Sequence, residues 1–97
     1  MTLEISSIDT PIKKAYKAIR GTLKFFPSCE FDVDLSPVDT RLNVQVSLKP
    51  KDKMFSAKDL LAITKILEVD FKKASAISVV PGNNVFFLKF SVPVNSI

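Results

Sequence analysis

Ninety-seven residues set a single domain as the default, and 46% hydrophobic content with eight Phe against two Gly argues against a disordered chain. Histidine is absent and Cys29 is the only cysteine, which removes the usual general base, the commonest nitrogen ligand of transition metals, any thiolate cluster for zinc and any intrachain disulfide. Hydrolase and metalloenzyme classes are therefore not expected, and the 14 cations against 10 acids leave a modest net charge of +4.

The N-terminal MTLEISSIDT carries Glu4 and Asp9 where a secretory signal has a basic and then an apolar region. No stretch approaches the ~18 uninterrupted apolar residues of a membrane span, so the expected location is cytoplasmic, with no membrane partner. Leu3 and Ile5 suggest a short N-terminal edge strand. Thr10-Pro11 reads as an N-cap with proline at the first helical position, and Phe26-Pro27 as a stop, which predicts a helix over 11–26. Ile12, Tyr16, Ile19, Leu23 and Phe26 share one face of that helix.

Phe31, Val33 and Leu35 then alternate with Glu30, Asp32 and Asp34, and Leu42, Val44, Val46 and Leu48 alternate with Asn43, Gln45 and Ser47. The pattern predicts a hairpin. Placing Leu35 opposite Leu42 keeps both apolar sets on one side and leaves a four-residue loop, Pro37 to Thr40. Ser56 and Asp59 resemble a capping box that opens a second helix over 57–73, with Leu60, Ile63, Thr64, Leu67, Phe71 and Ala74 as its apolar stripe. Ile77 and Val79, the turn signal Pro81-Gly82-Asn83-Asn84, and the alternating Phe86, Leu88, Phe90 and Val92 predict a second hairpin. Residues 94–97 read as a loose tail.

Sliding the chain on itself by 44 residues superposes the two units in pattern. Ile19 and Leu23 fall on Ile63 and Leu67, Pro37 on Pro81, and Val44 on Leu88. Ser75 is a departure, falling where Phe31 sits. The expectation is one α+β domain over 1–97, built from helix–hairpin units at 11–49 and 56–92. Two helices in α-β-β-α-β-β order pack on one face of a four-stranded, mainly antiparallel sheet, with a possible internal pseudo-repeat of 44 residues. Ile19, Leu23, Val44, Ile63, Leu67, Leu88 and Phe90 are the expected core.

Chemistry has few places to reside. Glu30, Asp32 and Asp34 share one strand face about 7 Å apart, yet with no second carboxylate cluster beside them the expected metal set is empty and no cofactor is expected. Cys29 is either a thiol activated by nearby cations or, more commonly, a small buried hydrophobe. No catalytic residue is identified, and the chain reads as a non-enzyme.

Charge is the informative feature. Lys13, Lys14, Lys17, Arg20 and Lys24 fall between Asp9 and Glu30 with no acid among them; the remaining nine cations meet ten acids. On the helical wheel Lys13, Lys17, Arg20 and Lys24 occupy an arc of about 60°, centred about 110° from the apolar face. Helix stability does not ask for such a stripe, because these cations repel one another and the first of them sit near the positive end of the dipole. Lys58, Lys65 and Lys72 make a second row on the other helix, locally offset by Asp59, Glu68 and Asp70, and Lys51 and Lys53 could widen it.

These cations are the candidate nucleic-acid contacts of a small binding module. An alternative function is that of an adaptor or inhibitor with no nucleic-acid affinity, docking an acidic protein surface. Val80, Val85 and Phe87, on the outward side of the second hairpin, are the candidate protein interface, with a homodimer as one possible occupant.

Overall fold

A computed structural model of the chain describes residues 2–51 and 56–97. Helix α1 (Thr2–Leu23) leads into strands β1 (Cys29–Val38) and β2 (Arg41–Pro50). Helix α2 (Ala57–Asp70) is followed by β3 (Ser78–Gly82) and β4 (Val85–Pro93). The four strands form one antiparallel sheet in the order β1-β2-β4-β3, with both helices on one side. The inward faces of the two central strands and the facing stripes of both helices make a single core. All seven expected core residues are buried, from Ile19, Ile63, Leu67 and Leu88 at 0% exposure to Phe90 at 6%.

Helix α1 starts earlier than Thr10-Pro11 suggests, and Pro11 lies inside it. Leu3 and Ile5 therefore belong to a helix and not to an edge strand. The sequence spacing Ile5, Ile8, Ile12 is itself helical, and an internal proline removes one ladder bond and bends a helix without having to end it. At its other end α1 stops at Leu23, and the chain turns through Phe25 and Phe26, whose N–H groups donate to Thr22 O and Leu23 O.

The first hairpin is tighter than expected. Leu35 pairs with Val44, two residues beyond Leu42, and only Asp39 and Thr40 form the loop. Parity is preserved, so the buried face is the same, and Asp39 absorbs the turn at φ 56, where a short polar side chain is tolerated. Pro37 enters the strand because β1 is an edge. In a ladder closed by a two-residue turn, Val38 and Arg41 exchange bonds, so odd-numbered β1 residues direct their backbone groups out of the sheet. The missing N–H of Pro37 is thus lost where no ladder bond exists.

Pro81 occupies the matching place in β3, opposite Phe86 and one residue before the closing pair Gly82–Val85. Each sheet edge thus carries a proline beside its turn, which discourages edge-to-edge association.

The Asp59 carboxylate accepts the Ser56 N–H at 2.9 Å, as a capping box requires, and opens α2. The helix ends at Asp70, three residues short of the expected end. The chain leaves helical geometry at Phe71 (φ −119, ψ 70), whose ring packs on Phe90 with centroids 5.5 Å apart. The C-terminal residues are not loose. Val94–Ser96 form a 3-10 turn, Val94 N–H donates to Thr40 O at 2.9 Å, and Val94 and Ile97 pack half-buried on the core.

Candidate interaction surface

Lys13, Lys17, Arg20 and Lys24 are all exposed. Their direction follows from the opposite flank of α1. Thr22, only 7% exposed, has its single hydroxyl proton within reach of Ala18 O at 3.1 Å and Asp70 Oδ2 of α2 at 3.3 Å, shared between the two acceptors. Thr22 lies about 170° round the wheel from the centre of the cationic arc, so the arc faces away from α2. Helix α2 sits toward β4, through Phe71 on Phe90, while α1 leads by a short connection into β1 at the sheet edge. Directed away from α2, the cationic flank is on the side of α1 toward the free edge of β1.

Tyr16 belongs to that flank as well. Placed on the apolar face by periodicity, it is 39% exposed and carries the Arg20 guanidinium 5.7 Å from its ring centroid. Stacking of this kind holds the guanidinium over the ring without consuming its hydrogen-bond donors. Neither Tyr16 nor the edge of β1 was identifiable as part of a site by residue type; the proline within a strand was the available signal for the edge.

Lys58 and Lys65 are exposed on α2, whereas Lys72, also exposed, lies in the turn beyond the end of the helix and so does not continue the row. Lys58 and Lys65 lie about 120–140° round that helix from Asp70, the residue facing α1. Both lysine rows therefore turn away from the helix–helix contact and from each other. They do not merge into one basic plane. Lys51 is exposed at the end of β2, and Lys53 lies outside the described residues.

On the outer sheet face the tightened register changes the neighbours of the acidic row. Glu30 pairs with Lys49, Asp32 with Ser47 and Asp34 with Gln45. Among the described residues no group of three or more His, Cys, Asp or Glu side chains is arranged to hold a metal ion. A polar depression of about 420 Å³ lies farther along this face, with Asp34 and Lys89 flanking Gln45 and with Asn43, Ser78 and Ser91 around them. Its lining combines hydroxyls and amides with one acid and one lysine, without a nucleophile–base pair.

Val80, Val85 and Phe87 do meet on the outer face, around Gly82. A Cβ at Gly82 would stand 2.7 Å from Val85 Cγ1 and 3.1 Å from Phe87 Cε2. Phe87 thus covers Gly82 and is half-buried, while Val80, its cross-strand neighbour, stays 42% exposed. Cys29 is buried with the core, and its thiol points to Glu30 O at 3.2 Å. Burial pushes its pKa up, away from the thiolate that a reactive cysteine needs. No helix of the described residues is long and apolar enough to cross a membrane. Comparison with protein-family models, curated proteins and solved structures finds no match for this chain.

Proposed function

We propose that the chain is a non-enzymatic binding module that docks an acidic protein surface through the outer flank of α1. The observation that carries this reading is the exposed arc Lys13, Lys17, Arg20 and Lys24, turned away from α2 and its lysines. A phosphate backbone favours a broad basic face, and here the arc is narrow. The carboxylates of Glu30, Asp32 and Asp34 stand exposed on β1, the strand that follows α1. A duplex about 20 Å across seated on this flank would meet their repulsion; a protein partner can set its acids against the cations alone.

Nucleic acid remains the second reading, favoured by the line of cations itself. From Lys13 to Lys24 the flank runs about 16 Å, enough for three to four phosphate contacts and a log-log salt slope of roughly −3 on duplex DNA. Fluorescence anisotropy with a labelled glutamate-rich peptide and a labelled duplex, each between 50 and 200 mM salt, separates the two. The protein reading predicts tighter binding of the peptide, abolished by Lys13→Glu, Lys17→Glu, Arg20→Glu and Lys24→Glu together. Preferential duplex binding with the steep salt slope would reverse the assignment.

A further inference from the structure

Resting on that reading of α1, we infer that the partner presents an extended segment of alternating acidic and basic side chains, which adds as a fifth strand to the free edge of β1. Three features of that edge define the occupant. The first is backbone. Even-numbered residues of β1 bond to β2, and the Lys51 N–H donating to Ser28 O at 2.8 Å continues that parity past the strand. The N–H and C=O groups of Phe31, Val33 and Leu35 consequently point out of the sheet, repeating about every 6.8 Å, the spacing an antiparallel strand matches. Pro37 has no N–H to offer, so the available stretch ends before the turn.

The second feature is the outer face beside that edge, where Glu30, Asp32 and Asp34 are exposed. Alternate side chains of an added strand lie next to them, and basic residues there form favourable cross-strand pairs. The third is the helix side. There Phe31, Val33 and Leu35 are half-buried against the core, and Tyr16 is exposed on the same flank of α1 as Lys13, Lys17, Arg20 and Lys24. The remaining side chains of the strand enter this space. Glutamate fits it, its methylenes covering Tyr16 and its carboxylate reaching the cations. Cationic on one side and anionic on the other, the edge selects a segment of opposite alternation and near-zero net charge. A second copy of β1 does not satisfy it, because antiparallel self-pairing would set carboxylates against carboxylates. Recognition of this kind takes affinity from main-chain bonds and specificity from alternate side chains.

The test uses the full chain, isotopically labelled, with four capped octapeptides: alternating KEKEKEKE, the block isomer KKKKEEEE, the alternating peptide N-methylated at every second residue, and an all-glutamate peptide. The inference predicts that the alternating peptide binds at least roughly tenfold more tightly than its block isomer, since a few cross-strand pairs together supply that factor. It also predicts slowed amide exchange at Phe31, Val33 and Leu35, lost with the N-methylated peptide. Asp32→Lys with Asp34→Lys should weaken the alternating peptide and strengthen the all-glutamate one. Equal binding of the two isomers, or tight binding with no protection of those three amides, overturns strand addition. If the all-glutamate peptide still binds through the α1 cations in that case, acidic docking stands without the strand. Failure of every peptide to bind overturns both.

Discussion

The two halves of the molecule share a backbone and differ at the surface. Moved along by 44 residues, the β1–β2 pairs Asp34–Gln45, Leu35–Val44, Ser36–Asn43, Pro37–Leu42 and Val38–Arg41 become the β3–β4 pairs Ser78–Lys89, Val79–Leu88, Val80–Phe87, Pro81–Phe86 and Gly82–Val85. Both hairpins close on two residues, and both edges carry their proline at the same step. The same shift carries Lys13, Lys17, Arg20 and Lys24 onto Ala57, Leu61, Thr64 and Glu68. One helix flank is a row of exposed cations, while the equivalent flank exposes Leu61. Backbone pairing and core burial constrain the repeated features; the exposed cations of α1 take part in neither.

The strands diverge too. Where β1 continues through Phe31, the second unit has Ser75, and β3 begins only at Ser78. Continued register would set Ala76 opposite Ser91. Instead Ser75 N–H donates to Ser91 O at 2.8 Å, and the Ser91 N–H finds the Ser75 hydroxyl at 3.0 Å. A side chain replaces a backbone acceptor, and one extra residue is accommodated as in a bulge. The long regular edge belongs to the first half alone.

If the halves share one core, equivalent truncations must act alike. Ile19→Ala and Ile63→Ala, both fully buried and 44 residues apart, should each cost about 2–5 kcal/mol in one cooperative denaturant transition. Two separable transitions would show two units in place of one domain. A smaller effect is expected where the turns differ. Gly82→Val, which copies Val38 into the second half, forces side-chain atoms into Val85 and Phe87 and should cost about 1–3 kcal/mol; Val38→Gly, at an exposed position, should cost less. Equal losses would mean that Phe87 does not rest on Gly82.

Cys29 gives a pH dependence peculiar to the first half. Its folded pKa is raised above the ordinary 9.0 by burial, so its contribution to stability is present below pH 9 and is lost as pH rises through the folded value. Cys29→Ala should flatten that alkaline decline, and alkylation of the native thiol should be slower than in urea. The smallest stability effect is expected from reversing Lys13, Lys17, Arg20 and Lys24, each within about 0.5 kcal/mol, because none packs in the core.

Periodicity made most of the fold legible, since alternation and three–four spacing report which face is buried. Ile19, Leu67 and Leu88 were placed correctly on that ground alone. Features set by context beyond periodicity were not: Pro37 reads as a loop residue until β1 is known to be an edge, and Pro11 reads as a helix start although α1 continues through it. The cationic arc was visible on a helical wheel. Its direction was not, because only the Thr22–Asp70 contact fixes which flank faces α2. The acidic row was visible as well, but its place on the free edge required the strand order.

Titration of a labelled glutamate-rich peptide into the unmodified chain and into the variant with Lys13, Lys17, Arg20 and Lys24 all changed to Glu, at matched thermal stability, tests the proposed docking surface most directly. The account predicts saturable binding to the unmodified chain at 50 mM salt, weaker at 200 mM, and none to the variant. Undiminished binding to the variant, or no binding to either protein, would contradict it.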